Sequence, residues 1–240
     1  MATTFKLDSG AVDYLNWIGR SIHECDLPAN SRVRAAASCL AIAQDHHHAI
    51  VVLLDHSLFA SSLSLVRCEF EAYVRGEWLA LCATDDEVEA FTQGAEPPPM
   101  RTLLEQLEQT PAFSAKVLSK IKANAWKAMC AYTHTGGLHI QRWVTEEAIE
   151  PNYSADEIQE VLSFAETVGS LAVVGVAYLA NDDKVAESVL AKFTERTERR
   201  VLTCQSTRTH NYHACGVPSC AGHFYVMPHE SDSRHARSRR

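Results

Sequence analysis

The distribution of helix-breaking residues limits what this chain can fold into more than any other feature. Between Pro28 and Pro97 there is no other proline, and the only glycines are Gly76 and Gly94. Proline lacks a backbone donor and glycine loses much conformational entropy, so helix interiors disfavour both. A long interval that lacks breakers and is rich in alanine and leucine therefore predicts long α-helices.

Apolar residues at helical spacing extend this prediction along most of the chain. Ser154 followed by Glu157 has the spacing of a capping box, which marks a helix start. We expect Gly136 and Gly137 to end the preceding long helix in the left-handed conformation. The alternating residues 138–144 are compatible with a short strand. The periodicity predicts helices at about 10–24, 31–56, 58–82, 85–93, 100–108, 113–134, 155–181 and 182–201.

These segments predict an all-α fold, an antiparallel bundle of about five long helices with shorter ones and a flexible tail. Residues 1–202 form the predicted bundle domain, and residues 203–240 form a basic tail that lacks a periodic apolar face and is expected to be disordered. The net charge is −8, with −13 on residues 1–195 and +5 on residues 196–240. An acidic body does not favour broad electrostatic binding to nucleic acids or anionic lipids.

The sequence also predicts a cytoplasmic protein that needs no cofactor. The N-terminus lacks the apolar segment of a secretion signal, and the eight cysteines show no disulfide-framework spacing. The longest apolar run, residues 167–180, is too short to span a bilayer and is interpreted as a buried helix, so no membrane association is expected.

One face of the predicted helix at 113–134 carries polar residues at steps of four, three, four and three. They are Lys120, Asn124, Lys127, Ala131 and His134. A histidine beside a cation can transfer a proton and stabilise negative charge, which metal-independent RNA cleavage requires. His134 and Lys127 are therefore candidate catalytic residues, and Lys120 and Asn124 are candidate phosphate contacts. The same pattern also fits a plain solvated helix face.

Arg67 and Glu71 lie one turn apart in the middle of an otherwise apolar predicted helix. A charge in that position requires a partner or a polar pocket. Either the two residues form a structural ion pair, or Arg67 contacts a phosphate-bearing ligand.

Metal-binding patterns are weak. The three consecutive histidines at 46–48 point in different directions on a helix, so they cannot share one ion. In the tail, His213, Cys215, Cys220 and His223 are residue types that suit zinc, but their spacing is not that of a paired zinc knuckle. We therefore predict no metal site and keep these four residues only as candidates.

Two segments resemble a group of uncharacterised bacterial helical proteins related to the HEPN superfamily. These are AIVVLLDHSLFASSLSLVRCEFEAYVRGEWL, which contains Arg67 and Glu71, and KAMCAYTHTGGLH, which contains His134. Active HEPN proteins cleave RNA without metal through an arginine followed by a histidine after four to six residues, often in a homodimer. Here Lys127 replaces that arginine, and lysine lacks the planar fork that binds phosphate.

This resemblance implies a cytosolic bacterial protein, with RNA as substrate and with ribonuclease activity of the toxin or phage-defence type. The alternative is a non-catalytic helical protein that forms a homodimer or binds a protein partner.

Overall fold

The computed structural model describes residues 7–23 and 25–210, which fold as an all-α bundle, as the sequence predicted. The candidate zinc ligands His213, Cys215, Cys220 and His223 lie outside the described residues. The described part of the chain has a 3₁₀ turn, Pro111–Phe113, and nine α-helices: α1 (Ser9–Ser21), α2 (Ser31–Asp55), α3 (Phe59–Leu81), α4 (Asp85–Thr92), α5 (Met100–Leu107), α6 (Val117–Thr133), α7 (Gly137–Gln141), α8 (Ala155–Leu179) and α9 (Asp183–His210).

Polar side chains fix the starts of several helices. Asp8 accepts from the backbone N–H of Gly10 at the start of α1, and Asn30 caps α2 in the same way. Ser154 and Glu157 form the predicted capping box of α8, with both reciprocal hydrogen bonds present. Such caps satisfy backbone donors that have no partner within the helix.

The central packing unit consists of α2, α3 and α8, which approach closely where they carry small residues. A Cβ atom on Gly76 of α3 would lie 2.8 Å from Leu40 Cγ of α2, and one on Gly175 of α8 would lie 3.0 Å from Leu40 Cδ1. A Cβ atom on Gly169 would meet the ring of His47. Gly169 and Gly175 therefore allow α8 to pack closely against α2.

The Gly169→Ala substitution is expected to destabilise the protein because α2 and α8 touch there. The new Cβ would lie 2.7 Å from Cγ of His47, whose side chain is fully buried. Overpacking of this kind lowers the free energy of unfolding by about 1–3 kcal/mol. The matched control is Gly19→Ala in α1, where the new Cβ would meet no described atom within 4 Å other than its chain neighbours and the adjacent backbone of its own helix. That helix-interior change should instead stabilise by about 0.5–1 kcal/mol, and equal urea midpoints for the two variants would contradict the packing argument.

Helices α1 and α9 pack on the outer side of α8 and are joined by buried charges. Glu166 of α8 is fully buried and accepts hydrogen bonds from Arg196 Nε and Nη2, both at 2.8 Å, and from Arg200. Arg196 also donates to Asp8 at the start of α1, over 3.0 Å. Two carboxylates, those of Glu166 and Asp8, and two guanidinium groups therefore join the three helices.

Three local predictions differ from the structure. Residues 138–144 form no strand: α7 covers most of them, and Val144 makes only an isolated bridge with Ile149. Helix α6 begins at Val117 rather than near 113, because Lys116 adopts a left-handed conformation. Helix α9 continues to His210 rather than ending near 201. No glycine or proline interrupts residues 183–210, and extending an existing helix costs far less than starting one.

Helix α8 is the one described helix that is long and apolar enough to cross a membrane by length and composition. Of its most apolar stretch, 72% is buried inside the bundle. Burial of this kind is typical of the central helix of a globular bundle, and it agrees with the predicted buried helix at residues 167–180.

Candidate functional site

A direct contact between α3 and α6 joins two of the candidate residues. Arg67 Nη1 of α3 lies 2.6 Å from His134 Nε2, at the residue that caps the C-terminal end of α6. A guanidinium group has no acceptor atom, so Arg67 donates and Nε2 accepts.

Glu71 fixes the orientation of Arg67. Its Oε1 accepts from Arg67 Nε at 2.7 Å, and its Oε2 accepts from Arg75 Nη2 at 2.7 Å. The exposed fractions of the Arg67 and Glu71 side chains are 22% and 15%. The contacts with Glu71 and His134 use two of the five N–H groups of Arg67. Arg67 is thus oriented by the ion pair with Glu71, and part of its side chain still reaches solvent.

The backbone around His134 is held by contacts between α3 and α6. Ser64 Oγ donates to the carbonyl of Tyr132 over 3.0 Å, and Thr133 Oγ1 donates to the carbonyl of Ser64 over 3.1 Å. Thr135, the residue after His134, has φ of 54°. That conformation is unfavourable for a β-branched residue and concentrates at functional sites, where surrounding structure enforces it.

The glycine pair after α6 has a different role from the predicted one. Thr135 takes the left-handed position, Gly136 has φ of −72°, and Gly137 begins α7. The N–H of Gly136 donates to the carbonyl of Ala131 at 2.7 Å, the long-range bond of a Schellman motif. A Cβ atom on Gly136 would lie 3.1 Å from Ala131 Cα. Close approach to the last turn of α6, rather than a positive φ, thus explains this glycine.

Trp126 of α6 extends the site away from His134. The guanidinium carbon of Arg67 lies 4.8 Å from the centre of the indole ring, and Lys122 Nζ lies 5.7 Å from it. Both distances are within the range of cation–π attraction. Sequence analysis did not select Trp126 or Lys122, because their relation to Arg67 exists only once α3 and α6 have packed.

The predicted polar stripe on α6 lies at the surface. Lys120, Asn124, Lys127 and His134 are all exposed. The side chain in contact with His134 is Arg67, however, whereas Lys127 lies two turns earlier on the same helix. The cation beside the candidate proton-transfer group is therefore an arginine from another helix rather than the predicted lysine.

The sequence does indicate a basic surface at α6. Summing the charge over residues 1–195 hides it, because that whole segment is acidic. No aspartate or glutamate occurs between Glu108 and Glu146, in a chain whose net charge is −8. That interval contains α6 and five cationic residues: Lys116, Lys120, Lys122, Lys127 and Arg142. Arg142 is paired with Glu157 at 2.5 Å. Lys116 at the N-cap and the three lysines within α6 make this helix a basic surface on an acidic protein.

No group of three or more potential metal ligands occurs among the described residues. Within the histidine run, His47 is fully buried while His48 is exposed, so the two side chains point apart. Both nitrogens of His47 are buried without a hydrogen-bond partner among the described residues, and burial lowers its pKa to about 3.

A family profile described as a family of unknown function, DUF6988, matches residues 40–198. The chain belongs to the DUF6988 family. The matched region of this DUF6988 protein runs from within α2 to within α9, so it includes Arg67, Trp126 and His134. Comparisons with curated proteins and with solved structures gave no match.

Proposed function

We propose that this DUF6988 protein is a HEPN-like, metal-independent ribonuclease of the cytoplasm, of the toxin or phage-defence type. The observation that carries the proposal is the 2.6 Å contact between Arg67 Nη1 and His134 Nε2 at the surface of the basic helix α6. Arginine binds phosphate oxygens through its planar fork, and histidine exchanges protons near neutral pH. The two groups are already adjacent, as a phosphodiester site requires.

The arrangement supports a specific division of roles. The ribose 2′-hydroxyl attacks the neighbouring phosphorus, and the bond from phosphorus to the 5′ oxygen of the next nucleotide breaks. His134 Nε2 takes the proton of the 2′-hydroxyl, and Arg67 stabilises the negative charge on the phosphoryl oxygens. A phosphate that accepts from Arg67 competes with His134 for the guanidinium and so frees the Nε2 lone pair.

The departing 5′ oxygen needs a proton from a second group. In a homodimer, a protonated His134 of a second copy would supply it, and this is why we propose a homodimer as the active form. The products are then a 2′,3′-cyclic phosphate and a free 5′-hydroxyl. The lysines of α6 attract the RNA backbone: Lys127 and Lys120, with Asn124, are placed to contact flanking phosphates.

The test is incubation of the purified full chain with single-stranded RNA, with and without EDTA. Cleavage should persist in EDTA because the proposed reaction uses no metal. His134→Ala should lower the cleavage rate at least about 100-fold, the usual scale for losing a general acid–base group. Arg67→Ala should lower it by about 100–1000-fold, as expected when a donor to the developing charge is removed.

The matched control is His56→Ala. His56 is also an exposed histidine at the C-terminal end of a helix, where it caps α2. Its Nδ1 contacts the carbonyl of Val52 over 2.9 Å, and no arginine among the described residues forms a hydrogen bond with its ring. This variant should cleave RNA at the wild-type rate. Cleavage by His134→Ala at the wild-type rate would refute the proposed site. If the wild type cleaves no RNA, the ribonuclease proposal fails and the non-catalytic helical interaction protein is the remaining alternative.

A further inference from the structure

A groove of about 390 Å³ lies between α5 and α6. It is open to solvent along one side. Its lining combines apolar surface with charged groups at the rim: Arg101, Leu104, Glu105, Lys122, Ala123 and Trp126.

The groove has an apolar wall and a mostly cationic rim. The half-buried indole of Trp126 provides apolar surface, and the almost fully buried Leu104 lies behind the wall of the groove. Arg101 and Lys122 stand at the rim, where Arg101 Nε pairs with Glu105 Oε1 at 2.7 Å. A flat apolar ligand that carries negative charge at one end matches this combination.

Trp126 connects the groove to the phosphate site of the proposed function. Its indole lines the groove and also lies 4.8 Å from the guanidinium carbon of Arg67. Trp126 therefore belongs both to the wall of the groove and to the surroundings of Arg67, the proposed phosphate contact.

We propose that this groove binds an unpaired base of single-stranded RNA, stacked on Trp126, while the adjoining phosphate contacts Arg67. The proposal rests on the proposed function and names its substrate class as single-stranded RNA. Stacking on an aromatic side chain tolerates any base, because every base presents a π face. A base-paired strand cannot enter the groove in this way, since its bases are stacked within the duplex.

The experiment measures the dissociation constants of two oligonucleotides of equal length and charge. One is single-stranded RNA with 2′-O-methyl groups, which prevent cleavage, and the other has the same backbone without bases. Wild-type protein should bind the oligonucleotide with bases more tightly. Trp126→Leu should weaken its binding by about 5–150-fold, the range for loss of one stacked base. Binding of the oligonucleotide without bases should change less than twofold.

A second variant leaves the packed interior of the bundle unchanged. Ala123 is exposed and lines the groove, so Ala123→Leu narrows the groove without altering the charge. It should also weaken binding only of the oligonucleotide with bases. Trp143→Leu is the control for the loss of a tryptophan outside the groove, because Trp143 contacts Tyr153 instead. It should leave both dissociation constants unchanged.

The outcomes separate this inference from the proposed function. If wild-type protein binds both oligonucleotides equally well, phosphate binding stands and the base-stacking groove is refuted. The groove is also refuted if the Trp126 and Ala123 variants raise the dissociation constants of both oligonucleotides equally. If wild-type protein binds neither, the proposed RNA function is refuted together with the groove.

Discussion

Replacing Glu166 with glutamine is expected to lower the free energy of unfolding by about 3–5 kcal/mol, the usual effect of breaking a buried ion pair. The Glu166 side chain is fully buried, and those of Arg196 and Arg200 are 11% and 19% exposed. Glutamine has nearly the same size but carries no charge. Two largely buried guanidinium groups would then lose their buried counterion and keep only the half-exposed Asp8, which lies 3.0 Å from Arg196 and 3.9 Å from Arg200. The measurement is the urea midpoint, with the slope of the transition as a check on two-state unfolding.

The control for Glu166 is Glu195→Gln, which removes a carboxylate from α9 at the surface. Glu195 pairs with Lys192 at 3.0 Å and with Arg199, but its side chain is 44% exposed. Water and salt screen pairs of this kind. Its midpoint should stay close to that of the wild type. A Glu166→Gln midpoint equal to that of Glu195→Gln would show that the buried network does not hold α1, α8 and α9 together.

Features of the fold that depend on neighbouring residues were predictable from the sequence. The interval without breakers gives α2 and α3, and the Ser154–Glu157 spacing gives the start of α8. Both depend on residues within about one helical turn of each other, and interactions over that distance can be recognised from residue spacing alone.

Features that depend on tertiary contacts were not predictable in this way. The alternation in residues 138–144 fits a strand, but the segment folds as α7, and His139 Nδ1 contacts the carbonyl of Tyr132 over 3.0 Å. That contact with the last turn of α6 outweighs a weak local pattern. Likewise, Gly136 is explained by its approach to Ala131, which no property of the glycine pair itself reveals.

In the candidate site, too, the contact within one helix was predictable from the sequence and the contact between helices was not. The ion pair between Arg67 and Glu71 lies within one helix, so its spacing was visible in the sequence. The contact between Arg67 and His134 joins residues 67 positions apart and depends on how α3 packs against α6. Lys127 was the nearest cation to His134 that a single helix could offer, and this is why sequence analysis selected it.

Glu77 gives the second large expected effect, through pH. This carboxyl of α3 is 9% exposed, and its Oε1 lies 2.5 Å from where a Cβ on Gly175 of α8 would stand. Burial raises its pKa from 4.5 to about 7. The folded protein therefore keeps a proton that the unfolded chain releases, so stability is lost as pH rises from 4.5 towards 7. A shift of this size corresponds to about 3 kcal/mol.

Glu77→Gln removes this dependence because glutamine does not ionise. His47 acts in the opposite direction: its lowered pKa makes stability fall as pH drops below 6.5. The informative quantity is therefore the difference in free energy of unfolding between Glu77→Gln and wild type, in which the contribution of His47 cancels. Between pH 4 and pH 8, the free energy of unfolding of Glu77→Gln should rise by about 3 kcal/mol relative to that of the wild type. Glu146→Gln, at an exposed position, controls for the change in net charge. A Glu77 difference that does not vary with pH would mean that the folded protein does not hold the proton on Glu77.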